Sequence, residues 1–225
     1  MNEWELTRES FLSEGEVTEL LAYLEQKESH ATGDAVCQAA TDRVIIETLL
    51  YSGLRNTEFC RLRVGDTVIG TKTSAVQVSG TPNQDRTVYI PESLAELHRQ
   101  YVREIRPQLL PKGVSPKDHS QPLIFNERGK PYERTALYRR VVRILTEAGL
   151  GARASVQLLR HTYGYLAYLR TGGNLLFVQK QLGHAHPMVT VIYAQFVEHP
   201  YDQLANQVAG IVSQPAPRRS YRKAT

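Results

Sequence analysis

Hydrophobic spacing leaves the helical period in one stretch of this chain, and that departure limits the fold more than any other feature. Ala75, Val76, Gln77, Val78 and Ser79 alternate, Gly80-Thr81-Pro82-Asn83 makes a turn, and Thr87, Val88, Tyr89 and Ile90 alternate again. Two alternating runs joined by a turn predict an antiparallel β-hairpin. Elsewhere apolar residues recur at helical spacing. Ser13-Glu14-Gly15-Glu16 predicts a capping box opening a helix over 14–28, with Val17, Leu20, Leu21 and Leu24 on its apolar face. Val44, Ile45, Leu49 and Leu50 predict a second helix, ended by Ser52-Gly53. Further helices are expected near Arg55, from Pro91-Ser93 to about Arg103, over 133–148, and then over 159–171, 174–182, 187–196 and 200–212. Residues 107–122 read as a proline-containing loop, with Leu123-Ile124-Phe125 a short extended piece. The expected class is mainly α with a small antiparallel β-sheet, an α+β fold.

Composition narrows the function classes. A chain of 225 residues, 41% hydrophobic and 22% charged, is ordinary globular protein, which excludes disordered, collagen-like and coiled-coil chains. Two cysteines, Cys37 and Cys60, are too few for a disulfide framework or a four-thiolate metal site. No apolar run reaches the roughly 18 residues a membrane helix needs. The start, MNEWELTRES, lacks the basic and apolar regions of a secretion signal, so a cytoplasmic location is expected. The net charge of +4 permits a polyanionic partner without demanding one. Its distribution says more. Residues 1–30 are acid-rich, whereas 128–143 hold Arg128, Lys130, Arg134, Arg139, Arg140 and Arg143 against the single acid Glu133. The tail 214–225 adds Arg218, Arg219, Arg222 and Lys223 and no acid.

Three local signals occur in order. Tyr51-Ser52-Gly53-Leu54-Arg55-Asn56-Thr57-Glu58 puts an arginine at a helix start after a glycine turn. Leu158-Leu159-Arg160-His161-Thr162 opens a helix closed by Thr171-Gly172-Gly173. Leu182-Gly183-His184 is followed by Tyr193 in Thr190-Val191-Ile192-Tyr193. Singly, each has a structural explanation. Arg55 has Glu58 within ion-pairing reach, His184 is placed to cap a helix, and Tyr193 lies beside the apolar stripe Val189, Ile192 and Phe196.

Together, the order and spacing resemble the tyrosine recombinases, or phage integrase family, from about Phe11 to Phe196. The resemblance covers that family's catalytic domain and implies its fold. It also implies site-specific cutting and rejoining of double-stranded DNA through a 3′-phosphotyrosine. Arg55 and Arg160 would clamp the scissile phosphate, Tyr193 would attack it, and His184 would donate to a phosphate oxygen or steady Tyr193. Forked, permanently charged guanidinium groups suit the charge gathering on the non-bridging oxygens. The covalent link conserves the bond energy, so no ATP, redox cofactor or metal is implied. Arg134, Arg139, Arg140 and Arg143, on the basic face of the 133–148 helix, would contact DNA, chiefly its phosphates. Other copies of the chain, four in the synapse, and an accessory protein would be its protein partners.

The family pattern is broken twice. Gln157 stands where a histidine usually precedes the second arginine, and Gln157 takes up no proton at neutral pH. Thr81 matches the lysine of the usual Gly-Lys-Gly-Asn-Lys turn, which protonates the leaving 5′-oxygen. Arg86, for phosphate contact, and Lys72, as an acid, are the candidate substitutes. A general acid is typically worth about 10²–10⁴ in rate, so a slow enzyme is expected rather than a dead one. The pattern also begins too early for the family's usual amino-terminal DNA-clamp domain. Residues 1–213 therefore read as one catalytic domain and 214–225 as a basic, flexible tail. The rival readings are a degenerate member that only binds DNA, a type IB topoisomerase, and a metal-dependent hydrolase built on His184, His186 and His199.

Overall fold

The computed structural model describes residues 6–69, 73–79, 85–126, 128–198, 205 and 208. In chain order the elements are α1 (Glu14–Ser29), α2 (Ala35–Ser52), α3 (Asn56–Arg61), β1 (Thr67–Ile69), β2 (Ser74–Val78), β3 (Arg86–Tyr89), α4 (Glu92–Gln100), α5 (Arg106–Leu109), α6 (Arg134–Glu147), α7 (Val156–Arg170), α8 (Leu175–Leu182) and α9 (Met188–Val191). The capping box forms as the sequence predicts. Glu16 N–H donates to the Ser13 hydroxyl, and Ser13 N–H donates to Glu16 Oε2 at 2.7 Å. Such a cap is worth about 1 kcal/mol and fixes where α1 begins.

α2 is the central helix. Val44, Ile45, Ile46, Leu49 and Leu50 are all buried, so it is apolar around most of its circumference. A helix of that kind must be enclosed, and α1, α4, α6 and α7 enclose it. Gly53 ends α2 with φ 61°. A Cβ there would fall 2.5 Å from Tyr163 Cδ1 and 2.7 Å from Leu182 Cδ2. Glycine is thus required both by the left-handed turn and by the approach of α7 and α8.

The hairpin forms, with β2 paired antiparallel to β3 and Val76 opposite Val88. Both valines are fully buried, while Gln77 and Thr87 face outward. A third strand, β1, adds to the other edge of β2, giving the order β1-β2-β3. Three residues are too few to show an alternating period, which is why the sequence does not announce β1.

Two further boundaries differ from expectation. The helix after Pro91 continues past Arg103 through a π-helical stretch, Tyr101–Ile105, into α5. Arg106, almost fully buried, pins that end by donating to the Pro122 and Leu123 carbonyls. The helix expected over 187–196 is broken: α9 ends at Val191, and Ala194–Phe196 forms a separate 3₁₀ turn. Of the 200–212 helix only Ala205 and Val208 are described, and both are helical. The rest of that expected helix, together with Lys72, Thr81, His199 and the basic tail, lies outside the described residues.

One expected DNA contact is corrected. Arg140 points into the protein, with only 8% of its surface exposed. Its Nε donates to Asp42 Oδ1 at 2.7 Å, and its other nitrogens reach the Tyr132 hydroxyl and the Gln38 carbonyl. The reason is helical phase. Residue 140 is one turn from both Leu137 and Ile144, so it shares their inward face. Arg143 is half-exposed but also pairs with Asp42 and with Glu147. Arg134 and Arg139 remain exposed. Arg140→Ala is therefore expected to cost about 3 kcal/mol in denaturant unfolding, because it strips a buried carboxylate of its best partner. Arg139→Ala should stay within about 0.5 kcal/mol of the parent.

Candidate active site

The site is assembled on the carboxy-terminal end of α8. A helix leaves its last carbonyls without intrahelical partners, and that end carries the negative pole of the helix. Three arginines from three other elements satisfy these groups. Arg86 Nε donates to the Gln181 carbonyl at 3.0 Å, Arg160 Nη2 to that of Leu182 at 2.8 Å, and Arg55 Nη2 to that of Gly183 at 3.0 Å. Gly183, at φ 64°, ends the helix, and a Cβ there would crowd the Arg86 guanidinium at 2.9 Å. Arg160 Nη1 also donates to the Gly53 carbonyl, joining the end of α2 to the end of α8. Gln181 anchors the sheet, its buried side-chain oxygen accepting from Tyr89 N–H at 3.1 Å.

Glu58 holds two of these arginines from below. It accepts a forked pair from Arg86 at 2.7 and 2.9 Å, the Arg55 guanidinium at 3.0 Å and the Arg55 backbone N–H at 2.7 Å. Burial alone would raise its pKa. The Arg86 hydrogen bonds, the Arg55 N–H and both positive charges outweigh burial and bring it down to about 2. A depressed carboxylate stabilises the fold above its ordinary pKa, and that stability is lost as pH falls toward the folded value. The interval from 4.5 to about 2 corresponds to roughly 3 kcal/mol. Glu58→Gln should lose about that much stability at pH 7 and flatten the decline between pH 5 and pH 2. Urea unfolding across that range measures both.

Tyr193 is buried, with 1% of its surface exposed. Its ring lies against α7 at Gly164, where a Cβ would sit 2.5 Å from the phenolic oxygen and 2.6 Å from Cε2. A glycine inside a helix is ordinarily a liability of about 1 kcal/mol; here it makes room for the ring. The hydroxyl meets His161 Nδ1 at 3.1 Å, and His161 Nε2 meets the Gln157 amide at 3.0 Å. Burial pushes the Tyr193 phenol up to about 12, with Arg160 pulling the other way. His184 places Nδ1 2.9 Å from the Thr190 hydroxyl. Burial first, then the charges of Arg160 and Arg55, lower its pKa to about 3, so its ring is neutral at pH 7.

Arg55, Gln157, Arg160, His184 and Tyr193 all line one cleft of about 620 Å³, with Arg134 on its wall. Arg86 lines a neighbouring cleft instead, because its guanidinium is committed to Glu58 and α8. Arg139 and Arg143 lie outside the cleft lining. Among the described residues, no three His, Cys, Asp or Glu side chains gather as a metal-binding group. His161 is a cleft residue to which the sequence assigned no part. The signal was present: Gln157, His161 and Gly164 recur at helical spacing, and a mid-helix glycine marks a close approach.

Known proteins with this pattern are plentiful. The chain is 28% identical over 192 residues to tyrosine recombinase XerD of Staphylococcus saprophyticus, covering 85% of this chain and 61% of that protein. It is 27% identical over 166 residues to XerD of Staphylococcus haemolyticus, covering 74% of this chain and 54% of that one. It thus spans little more than half the length of these curated relatives. Its fold matches the XerH site-specific recombinase bound to palindromic difH substrate, a post-cleavage complex, with a TM-score of 0.68 at 24% identity over 89% of this chain and 52% of that one. It also matches the catalytic domain of bacteriophage HP1 integrase, with a TM-score of 0.54 at 20% identity over 92% of this chain and 98% of that one. Among the described residues, no helix is long and apolar enough to cross a membrane. Residues 10–199 match the sequence pattern of the phage integrase family, and the chain therefore belongs to it.

Proposed function

We propose that this protein cuts and rejoins double-stranded DNA at specific sites through a 3′-phosphotyrosine on Tyr193. The observation that carries the reading is the convergence of Arg55, Arg160, His184 and Tyr193 on one cleft. The two guanidinium groups hold the non-bridging oxygens, where negative charge increases in the transition state. Both are already aligned by carbonyls of α8, so little reorganisation is needed when phosphate arrives. Tyr193 attacks phosphorus and expels the 5′-hydroxyl. His184, neutral and held by Thr190 through Nδ1, offers its Nε2 to a phosphate oxygen. The XerD and XerH relatives are recombinases by name, which supports the same reading for this chain.

Arg134 and Arg139 on α6 contact DNA phosphates, and several copies of the chain assemble on one site. Thr81 stands where the family's leaving-group acid usually is, so turnover is slower than in members with lysine there, by up to about 10²–10⁴. The test is a pool of nicked duplexes of randomised sequence, which trap the covalent step by losing the short 5′ strand. The expected product is a protein–DNA adduct that survives detergent, with the nucleotide on the peptide containing Tyr193. An adduct on another residue, or none after repeated enrichment of the pool, overturns the reading.

A further inference from the structure

α7 presents Gln157, His161 and Gly164 on successive turns of one face, and Tyr193 lies against that face. The His161 and Tyr193 rings are tilted by 56° with centroids 6.2 Å apart, so they meet through Nδ1 and the hydroxyl rather than by stacking. We propose that His161 is a catalytic residue, taking the Tyr193 proton at Nδ1 as the phenolic oxygen attacks, with Gln157 governing which ring nitrogen carries hydrogen. The proposal rests on the reading of Tyr193 as nucleophile.

The geometry supports it in three ways. Nδ1 is 3.1 Å from the oxygen whose proton must leave, within the reach of a general base. An imidazole that accepts at Nδ1 must carry its hydrogen on Nε2. The Gln157 amide nitrogen lies 3.0 Å from Nε2 and, donating there, serves the opposite tautomer; the amide turned over presents its oxygen to Nε2–H and so sets the state that accepts at Nδ1. Finally, His161 lines the same cleft as Arg55, Arg160 and Tyr193, so the proton acceptor and the phosphate clamp share one space.

The step balances. The Tyr193 oxygen forms a bond to phosphorus while its proton passes to Nδ1. The bond from phosphorus to the 5′-oxygen breaks, and that oxygen leaves with the electron pair and takes a proton from water. On rejoining, the 5′-hydroxyl attacks and releases its proton to water, and His161 returns a proton to the departing phenolate.

The charged and titratable groups around the cleft are Arg55 at the start of α3, Arg134 and Tyr138 on α6, Arg160 on α7, His184 and Tyr193. Burial, then Arg160, lowers the His161 pKa to about 4, so the ring is neutral and able to accept a proton at pH 7. A phosphodiester seated between the arginines offsets the Arg160 charge, so the base strengthens when substrate is bound.

The test follows single-turnover adduct formation on the trapping duplexes from pH 6 to pH 9. His161→Asn keeps a hydrogen-bonding group near the Nδ1 place but cannot carry the proton. Its rate should fall about 10²–10⁴ and then climb about tenfold per pH unit as hydroxide replaces the base. The parent's rate should stay nearly flat over that range. His161→Ala should be partly rescued by added imidazole. Retained duplex binding and an unchanged thermal melt identify variants that have kept their fold. No adduct from the parent protein overturns both the function and this assignment. Adduct in the parent that His161→Asn matches within tenfold, or with a parallel pH profile, overturns this assignment alone.

Discussion

Tyr193→Phe is expected to fold as the parent does and to form no covalent product. The substitution removes one oxygen from a ring that keeps its seat against Gly164. The loss leaves His161 Nδ1 without its partner, an effect of about 1–2 kcal/mol. A chain of this size should melt only a few degrees lower. Binding to duplex DNA should persist, because phosphate contacts supply most of the affinity and the proposed ones come from arginines, not from this hydroxyl. Adduct formation on the trapping duplexes should drop below detection, since phenylalanine offers no atom to bond phosphorus. Adduct from this variant at the parent's rate would place the nucleophile on another residue.

Arg160→Lys should lower cleavage by about 10³–10⁵ while weakening duplex binding by only about tenfold. Arg160 does two jobs that a single ammonium cannot combine. Its fork spans the Gly53 and Leu182 carbonyls, fixing the end of α2 against the end of α8, and it lines the cleft. Lysine is one point charge on a flexible stem and reproduces neither the fork nor its orientation. The site also disfavours charge. Burial, then repulsion from Arg55, lowers the Arg160 pKa to about 10, which still leaves it cationic at pH 7. A lysine starts from a lower ordinary value, so the same surroundings leave it less firmly charged than arginine. Single-turnover cleavage and a gel-shift titration at fixed salt separate the two effects. Equal losses in both would mean that Arg160 binds DNA without acting in the transition state.

Much of this protein is readable from its residues in order. The capping box at Ser13 and Glu16, the glycine stop at Gly53 and the alternation over 75–90 are local signals set by backbone sterics and side-chain period, and each produced its element. The order Arg55, Arg160, His184, Tyr193 was legible through its resemblance to the phage integrase family, and the fold brings all four to one cleft. What went unread depends on partners distant in sequence. Arg140 looked like one more basic surface residue until Asp42, 98 positions earlier, drew it inward. Arg86 looked free for phosphate until Glu58 took both of its terminal nitrogens.

The sequence by itself determined most of the elements and the order of the residues on which the proposed chemistry rests. Only the tertiary structure decided which groups share a cleft and what each is free to do. A charged side chain that packing buries must find a counter-charge or an unpaired carbonyl there. Those are set by the packing of α2, α7 and α8 rather than by neighbours along the chain. The meeting of His161 with the Tyr193 hydroxyl, 32 residues apart, is of that kind: it exists because Gly164 lets the ring approach α7 closely.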